Sequence, residues 1–326
     1  MTNNSHLKSI RDGFGEALVE LGKNDPDIVV LTADLADSTR VKEFAEKFPD
    51  RFFQVGVAEQ ALVTVAAGMA EAGKIPFTTS YAVFSPGRTW EQIKVTASLN
   101  NVPVKIVGAH AGLGASMYGA THESLEDIAM MRVIPNMVVV SPCDFLEAKK
   151  ATKTIAENGK PSYLRLARQA SPLISTPLRQ DFAGQEFEIG KAKVLHEGRD
   201  PQATIVGTGP VIAEALGAAH DLEKLGIGVV VINIHTIKPI DDVALTHWAK
   251  LTDAFVTVEE HQIVGGLGSA VTEVLAQTHP VPVEFIGVHD VFGESARDYR
   301  ELWKKFGLSK ENIIEAVKKV ITRKNP

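Results

Sequence analysis

Residues 54–73, QVGVAEQALVTVAAGMAEAG, set a single carboxylate at the mouth of an apolar segment. Glu59 stands where a short apolar stretch gives out, and almost no polar residue follows until Glu71. The run of Ala, Val, Leu and Met after it reads as a helix over 58–72 that meets the protein interior. A carboxylate there costs on the order of several kcal/mol unless something pairs with it. The preceding FFQVG (52–56) reads as a short strand, so Glu59 sits at a strand–helix joint.

The same alternation extends outward in both directions. A helical stripe of Leu7, Ile10, Phe14, Ala17, Leu18 and Leu21 precedes the strand DIVVL (27–31) and its polar turn TADLADST. IPFTTS, VPVKIVGAH, MVVVSP and PSYLRLAR read as further strands, separated by helices at GRTWEQIKVTASLN and DFLEAKKATKTIAEN. This pattern predicts a parallel, doubly wound α/β sheet. Residues 169–190, rich in turn residues, read as a linker. A second α/β unit follows, with strands ATIVGTG, GVVVINI, AFVTVEE and VEFIGV and helices near 211–225, 241–250 and 266–277.

At 326 residues the chain has room for about two domains. A net charge of −6 argues against a nucleic-acid partner, which demands a basic face. The single cysteine, Cys143, excludes an internal disulfide and a cysteine-rich metal site. No apolar run is long enough to span a membrane, and MTNNSHLKSIRDG lacks an apolar signal core, so a cytoplasmic protein is the expectation.

In open α/β sheets, ligands bind outside the carboxyl ends of the strands. Asp34 and Ser38 follow DIVVL, Glu59 follows FFQVG, and Tyr81 and Phe84 follow IPFTTS. His110 ends VPVKIVGAH, His122 lies in the loop beyond it, and Arg168 ends PSYLRLAR. Each has a plain alternative. Asp34 or Ser38 would serve as a helix cap, a lone histidine as a satisfied core residue, and Arg168 as half an ion pair. Arg11 is harder to dismiss, because its spacing to Leu7, Phe14 and Leu18 puts a guanidinium on the apolar stripe. There it needs an anion, either a protein carboxylate or a ligand. Neither a P-loop motif nor a full G-x-G-x-x-G is present. GGLGSA (265–270) is either a phosphate-binding helix start or a tight turn.

Taken in order, VGVAEQALVTVAAGMAEAG, TADLADS, AHAGLGASMYGATHESLEDIAMMRVIPNM, SPCD, LRLARQ, IKPID and GGLG resemble the C-terminal half of a transketolase. The resemblance covers essentially the whole chain. It implies a pyrimidine-binding domain at about 1–185 and a transketolase C-terminal domain at about 186–326. It further implies thiamine diphosphate as cofactor, with the Glu59 carboxyl on N1′ of its aminopyrimidine. Tyr81 and Phe84 would be the aromatic walls of that pocket, or else plain core residues, and Asp34 would line the coenzyme or donor site. Arg11, Ser38, His110 and Arg168 would hold a sugar phosphate, and His122 would shuttle a proton near the reacting carbon, with His110 beside it.

One departure concerns the acceptor. Transketolases carry E-D-G-x-T-H in this loop, whereas here SMYGATH puts Met117 and Tyr118 in place of the acidic pair. An unusual or branched acceptor follows from the resemblance, as in the two-chain apulose-4-phosphate transketolases. The family's G-D-G…N-N motif for the diphosphate and its Mg²⁺ (or Ca²⁺) is absent, with NN only at 3–4 and 100–101, and no substitute metal cluster is evident. The resemblance therefore implies a separate N-terminal subunit carrying that motif, in a heterotetramer of two copies each. Rival readings are the beta chain of a 2-oxo acid dehydrogenase, which has no need of the phosphate-binding residues, and half of a 1-deoxyxylulose-5-phosphate synthase. A non-catalytic assembly subunit is a further one.

Overall fold

A computed structural model describes residues 7–175 and 187–324. The first unit runs β1 (Leu7–Ser9), α1 (Ile10–Asn24), β2 (Ile28–Thr32), α2 (Lys42–Lys47), β3 (Phe52–Gln54), α3 (Glu59–Glu71) and β4 (Ile75–Tyr81). It continues through α4 (Trp90–Gln92), a π-helical turn (Ile93–Ser98), β5 (Lys105–Ala111), α5 (Asp127–Arg132), β6 (Val138–Val140), α6 (Phe145–Glu157), β7 (Ser162–Ala167) and β8 (Ala170–Pro172). The second comprises β9 (Lys193–Glu197), β10 (Pro201–Gly207), α7 (Ile212–Lys224), β11 (Gly228–Asn233), β12 (Thr236–Lys238), α8 (Asp242–Thr252), β13 (Phe255–Gln262), α9 (Leu267–Gln277), β14 (Val283–Val288), α10 (Tyr299–Lys305) and α11 (Lys310–Lys324).

Two doubly wound α/β units result, as the alternation predicts. Strand order is β12-β6-β7-β5-β4-β2-β3 in the first sheet and β14-β13-β10-β11-β9 in the second. Strands β2, β4, β5, β6 and β7 are buried along almost their whole length because helices cover both faces. Helix α1 packs on α6, burying Ile10, Phe14, Ala17 and Leu18. Helix α6 begins where the Asp144 side chain accepts the Glu147 N–H at 2.9 Å. One apolar cluster runs through both units, joining Ile128 and Met131 to Leu267, Val271 and Trp248.

Three details depart from the sequence reading, and a fourth decides between two alternatives it left open. Leu7 is not on the α1 stripe: it lies in β1, which pairs antiparallel with β8. The sheets are not wholly parallel, since β12 pairs antiparallel with β6 and β9 with β11. β12 carries the second unit into the first unit's sheet. Helix α3 is buried on one face only. Leu62, Val63, Ala66 and Ala70 face the core, while Ala61, Val65 and Gly68 are exposed. Finally, the GGLG turn offers no anion site, because the buried Glu259 carboxylate already takes the Leu267 and Gly268 N–H groups at 2.7 and 2.8 Å. The expected boundary at 185/186 lies outside the described residues, as does the NN pair at 3–4. Among the described residues, no helix is long and apolar enough to cross a membrane.

Candidate functional site

The carboxyl ends of β2, β4, β5 and β7 bring most of the candidate residues together. Glu59 opens α3 and is only 2% exposed. Its Oε2 accepts a hydrogen bond from Arg88 Nη1 at 2.8 Å, and its Oε1 lies 3.5 Å from the Ser80 hydroxyl. The carboxylate at the helix mouth is thus paired with an arginine that the sequence reading missed. Arg88 sits in a Ser-Pro-Gly turn after β4, where a charged residue looks like ordinary surface. The turn brings it back over Phe84, with its N–H on the Phe84 carbonyl at 2.8 Å.

Next to this pair is an aromatic cluster. Phe84 lies nearly parallel to Tyr81, with centroids 6.2 Å apart. Tyr81 meets the His110 ring at 4.0 Å, and the His122 ring lies 5.4 Å from Phe84 and from Tyr118. Tyr118 closes the far side, with the Arg168 guanidinium 5.7 Å above its ring. His122 Nδ1 is 2.9 Å from the Thr121 hydroxyl.

Beyond the aromatics the site is cationic. Arg11 is buried, and its guanidinium donates to two backbone carbonyls, Ser38 O at 2.5 Å and Arg168 O at 3.2 Å. Neither bond goes to a carboxylate, and its Nε has no partner among the described residues. Burial first, then the positive charges of Arg40 and Arg168, lower its pKa to about 10. Burial, then Arg11 and Arg168, push His110 down to about 3, so its imidazole is neutral across the physiological range. Its Nδ1 is likewise buried without a partner among the described residues. The unpaired Arg11 guanidinium nitrogen and the unpaired His110 imidazole nitrogen, backed by Arg40 and Arg168, fit an anionic oxygen-rich ligand.

His110 and Asp34 both have φ near +60°, a strained region for non-glycine residues that concentrates at functional sites. Asp34 is exposed, and its N–H donates to Gln54 Oε1 at 2.7 Å. Its side chain reaches Gln54 rather than the aromatic cluster. Ser38 reaches the site through its carbonyl.

The loop between β5 and α5, which carries Tyr118 and His122, is tied to the second unit through Glu260. The Leu113 N–H and Gln169 Nε2 donate to that buried carboxylate at 2.7 and 3.0 Å. Gly112, at φ +75°, is needed because a Cβ would come within 2.6 Å of the Glu260 carboxyl carbon. Glu123 is also buried, and neither of its oxygens has a well-formed hydrogen bond among the described residues. Burial, then the charge of Glu260, raise it to about 7, with the Glu294 backbone partly offsetting.

A raised carboxylate pKa makes the folded state hold a proton that the unfolded chain releases. Stability should therefore fall as pH rises from about 4.5 to about 7 and level off above that. Replacing Glu123 with Gln should raise the melting temperature by a few degrees at pH 8 and by almost nothing at pH 4.5, roughly. A gap of equal size at both pH values would show that the carboxyl is not titrating in the fold.

Two family models match the chain: "Transketolase, pyrimidine binding domain" over residues 7–172 and "Transketolase, C-terminal domain" over residues 190–313. The 6-deoxy-6-sulfo-D-fructose transketolase subunit of Clostridium sp. (strain MSTE9) is 42% identical over 97% of this chain and 95% of that protein. A subunit of the apulose-4-phosphate transketolase of Phocaeicola vulgatus is 38% identical over 98% of this chain and the whole of that protein, 100%. A solved "Split gene transketolase, inactive beta4 tetramer" superposes with a TM-score of 0.88 at 45% identity, covering 97% of this chain and 99% of that one.

Proposed function

Because the chain belongs to the transketolase family, we propose that it is the C-terminal subunit of a split, thiamine-diphosphate-dependent transketolase. With a partner chain it moves a two-carbon ketol unit between sugar phosphates. The observation that carries this reading is the continuous site itself. A buried carboxylate lies at one end, stacked aromatic rings in the middle, and a cationic pocket with unpaired Arg11 and His110 nitrogens at the other.

Thiamine diphosphate, when bound, supplies the carbon that cleaves the bond beside a ketose carbonyl and carries the two-carbon unit. Glu59 would share a proton with the ring nitrogen of its aminopyrimidine, a task that suits a carboxylate sheltered from water. Tyr81 and Phe84 would hold the ring, and Asp34 would border the coenzyme or donor site. His122 exchanges a proton with the sugar hydroxyls or carbonyl. Neutral His110 hydrogen-bonds beside it and, with Arg11, Arg168 and the hydroxyl of Ser38, holds the phosphate. Tyr118 makes the acceptor wall aromatic, in keeping with an uncommon sugar. The names of the sulfofructose and apulose-4-phosphate relatives support an anionic substrate of that kind.

The pyrimidine-binding domain covers about 1–185 and the C-terminal domain about 186–326. A partner subunit carrying G-D-G…N-N holds the diphosphate and its Mg²⁺ or Ca²⁺, in a cytoplasmic heterotetramer of two copies each. The exposed apolar residues Ala61 and Val65 on α3, Val95 on the adjoining π turn and Leu99 just after it support burial of this face in the assembly. The inactive assembly of four beta chains supports the need for a second kind of chain.

The test is co-expression with a chain carrying that motif, followed by assay of ketol transfer over phosphorylated and unphosphorylated sugars. In that complex Arg168→Ala should raise KM for the phosphorylated ketose by about tenfold to a hundredfold, the value of a charge-assisted hydrogen bond. KM for the unphosphorylated analogue should barely move. Absence of transfer together with decarboxylation of a 2-oxo acid would replace this reading with the dehydrogenase one.

A further inference from the structure

Arg88 makes two contacts at once. Its Nη1 donates to Glu59 Oε2 at 2.8 Å, and its guanidinium carbon lies 4.9 Å from the centroid of the Phe84 ring. Among the described residues, Glu59 is the only acceptor its side chain reaches. The guanidinium is planar, with N–H donors on its edge and a face that stacks on aromatic rings. On its edge it meets the buried carboxylate, and on its face it meets the aromatic wall.

Those are the two contacts that the reading of Glu59 given above assigns to the coenzyme's aminopyrimidine. Two planar groups cannot hold the same carboxylate oxygen and the same ring face together. The asymmetry of burial indicates which one yields. The Glu59 side chain is 2% exposed, whereas that of Arg88 is 50% exposed. Arg88 can move out into water at little cost, while Glu59 cannot follow it. Without a counter-charge the buried carboxylate would be strongly destabilising, so a chain lacking coenzyme needs something in this position.

We propose that Arg88 is a stand-in for the coenzyme ring: it holds Glu59 and covers Phe84 until coenzyme binding displaces it. This rests on Glu59 being the aminopyrimidine's partner. Coenzyme affinity is then set in part by competition, since only the fraction of molecules with Arg88 withdrawn is ready to bind.

The experiment uses the complex with the diphosphate-binding subunit at fixed Mg²⁺ and reads thiamine diphosphate binding by titration calorimetry. Arg88→Met should tighten Kd by about threefold to thirtyfold, the worth of a half-exposed ion pair on a buried acid. It should also lower the melting temperature of the coenzyme-free complex. Arg88→Lys, which keeps the charge but not the plane, should fall between the two and covers the case in which the methionine variant does not fold. In a Glu59→Gln background, the effect of Arg88→Met on Kd should shrink to less than about twofold. A purely structural role for Arg88 predicts no such dependence. An unchanged or weaker Kd for Arg88→Met, in a wild-type complex that binds coenzyme saturably, overturns the displacement and leaves the reading of Glu59 standing. No saturable coenzyme binding by the wild-type complex overturns that reading, and the displacement with it.

Discussion

Glu59→Gln, in the assembled enzyme, is expected to lower ketol transfer by about 10²–10⁴-fold, the usual worth of a positioned acid or base. The substitution keeps the shape of the side chain and one oxygen to accept from Arg88 and Ser80, so packing at the head of α3 is preserved. Under the proposed function it removes the group that takes up and returns a proton. The loss should appear in kcat, because the proposed function leaves coenzyme and sugar binding to the aromatic wall of Tyr81 and Phe84 and to the arginine pocket, which the substitution does not touch. The charge lost by Glu59 frees an arginine that is half exposed and readily hydrated, so the melting temperature should move by no more than about 2 °C. A loss of less than about tenfold, with coenzyme still bound, would remove Glu59 from the chemistry and favour a subunit that merely completes an assembly. The measurement therefore separates the enzymatic reading from the non-catalytic one on a single residue.

Much of this site is legible in the sequence because its residues break a pattern. Glu59 and Arg11 are charges on apolar stripes, and the fold does bury both. Asp34, Tyr81, His110 and Arg168 stand at strand ends, where a doubly wound sheet gathers its ligands. The alternation of apolar runs is enough to predict two sheets with helices on both faces. It is not enough to find β9 and β12, which are short and antiparallel. Their partners are chosen by contacts distant in sequence, and periodicity is blind to those. Leu7 misleads because helical spacing extends by accident through three residues of β1. Arg88 gives no signal at all, since a cation in a Ser-Pro-Gly turn is indistinguishable from solvated surface until the turn closes on Glu59. The resemblance supplies an expectation that spacing does not, that anions and a planar ring bind among these residues. The neutrality of His110 is an electrostatic consequence of burial beside Arg11 and Arg168, and no local sequence feature encodes it.

Asp127→Ala should destabilise the chain by about 3–5 kcal/mol, the cost of leaving a buried cation without its counter-charge. Asp127, fully buried at the start of α5, accepts from Arg165 Nε and from the Tyr163 hydroxyl, both at 2.7 Å. Arg165 Nη2 reaches on to the Glu260 carbonyl in β13 at 2.9 Å. The network thus ties β7 and α5 of the first unit to the second, at the base of the loop that carries Tyr118 and His122. Burial alone would raise the Asp127 pKa, but the Arg165 guanidinium outweighs it and holds the carboxyl below its ordinary 3.8. An acid held low in the fold contributes stability above its unfolded pKa and loses it as pH falls through the folded value. Wild type and Asp127→Ala should therefore differ most at neutral pH, by roughly 4–7 °C in melting temperature for a chain of this size, and converge in acid. Pairing the change with Arg165→Met should recover much of the loss, because two apolar replacements leave no stranded charge. If Asp127→Ala proved nearly neutral at pH 7, Arg165 would have to be finding water or another acceptor, and the two units would be held together chiefly by their shared apolar cluster. Recovery in the double variant without recovery of ketol transfer would show that the ion pair also sets the position of the His122 loop above it.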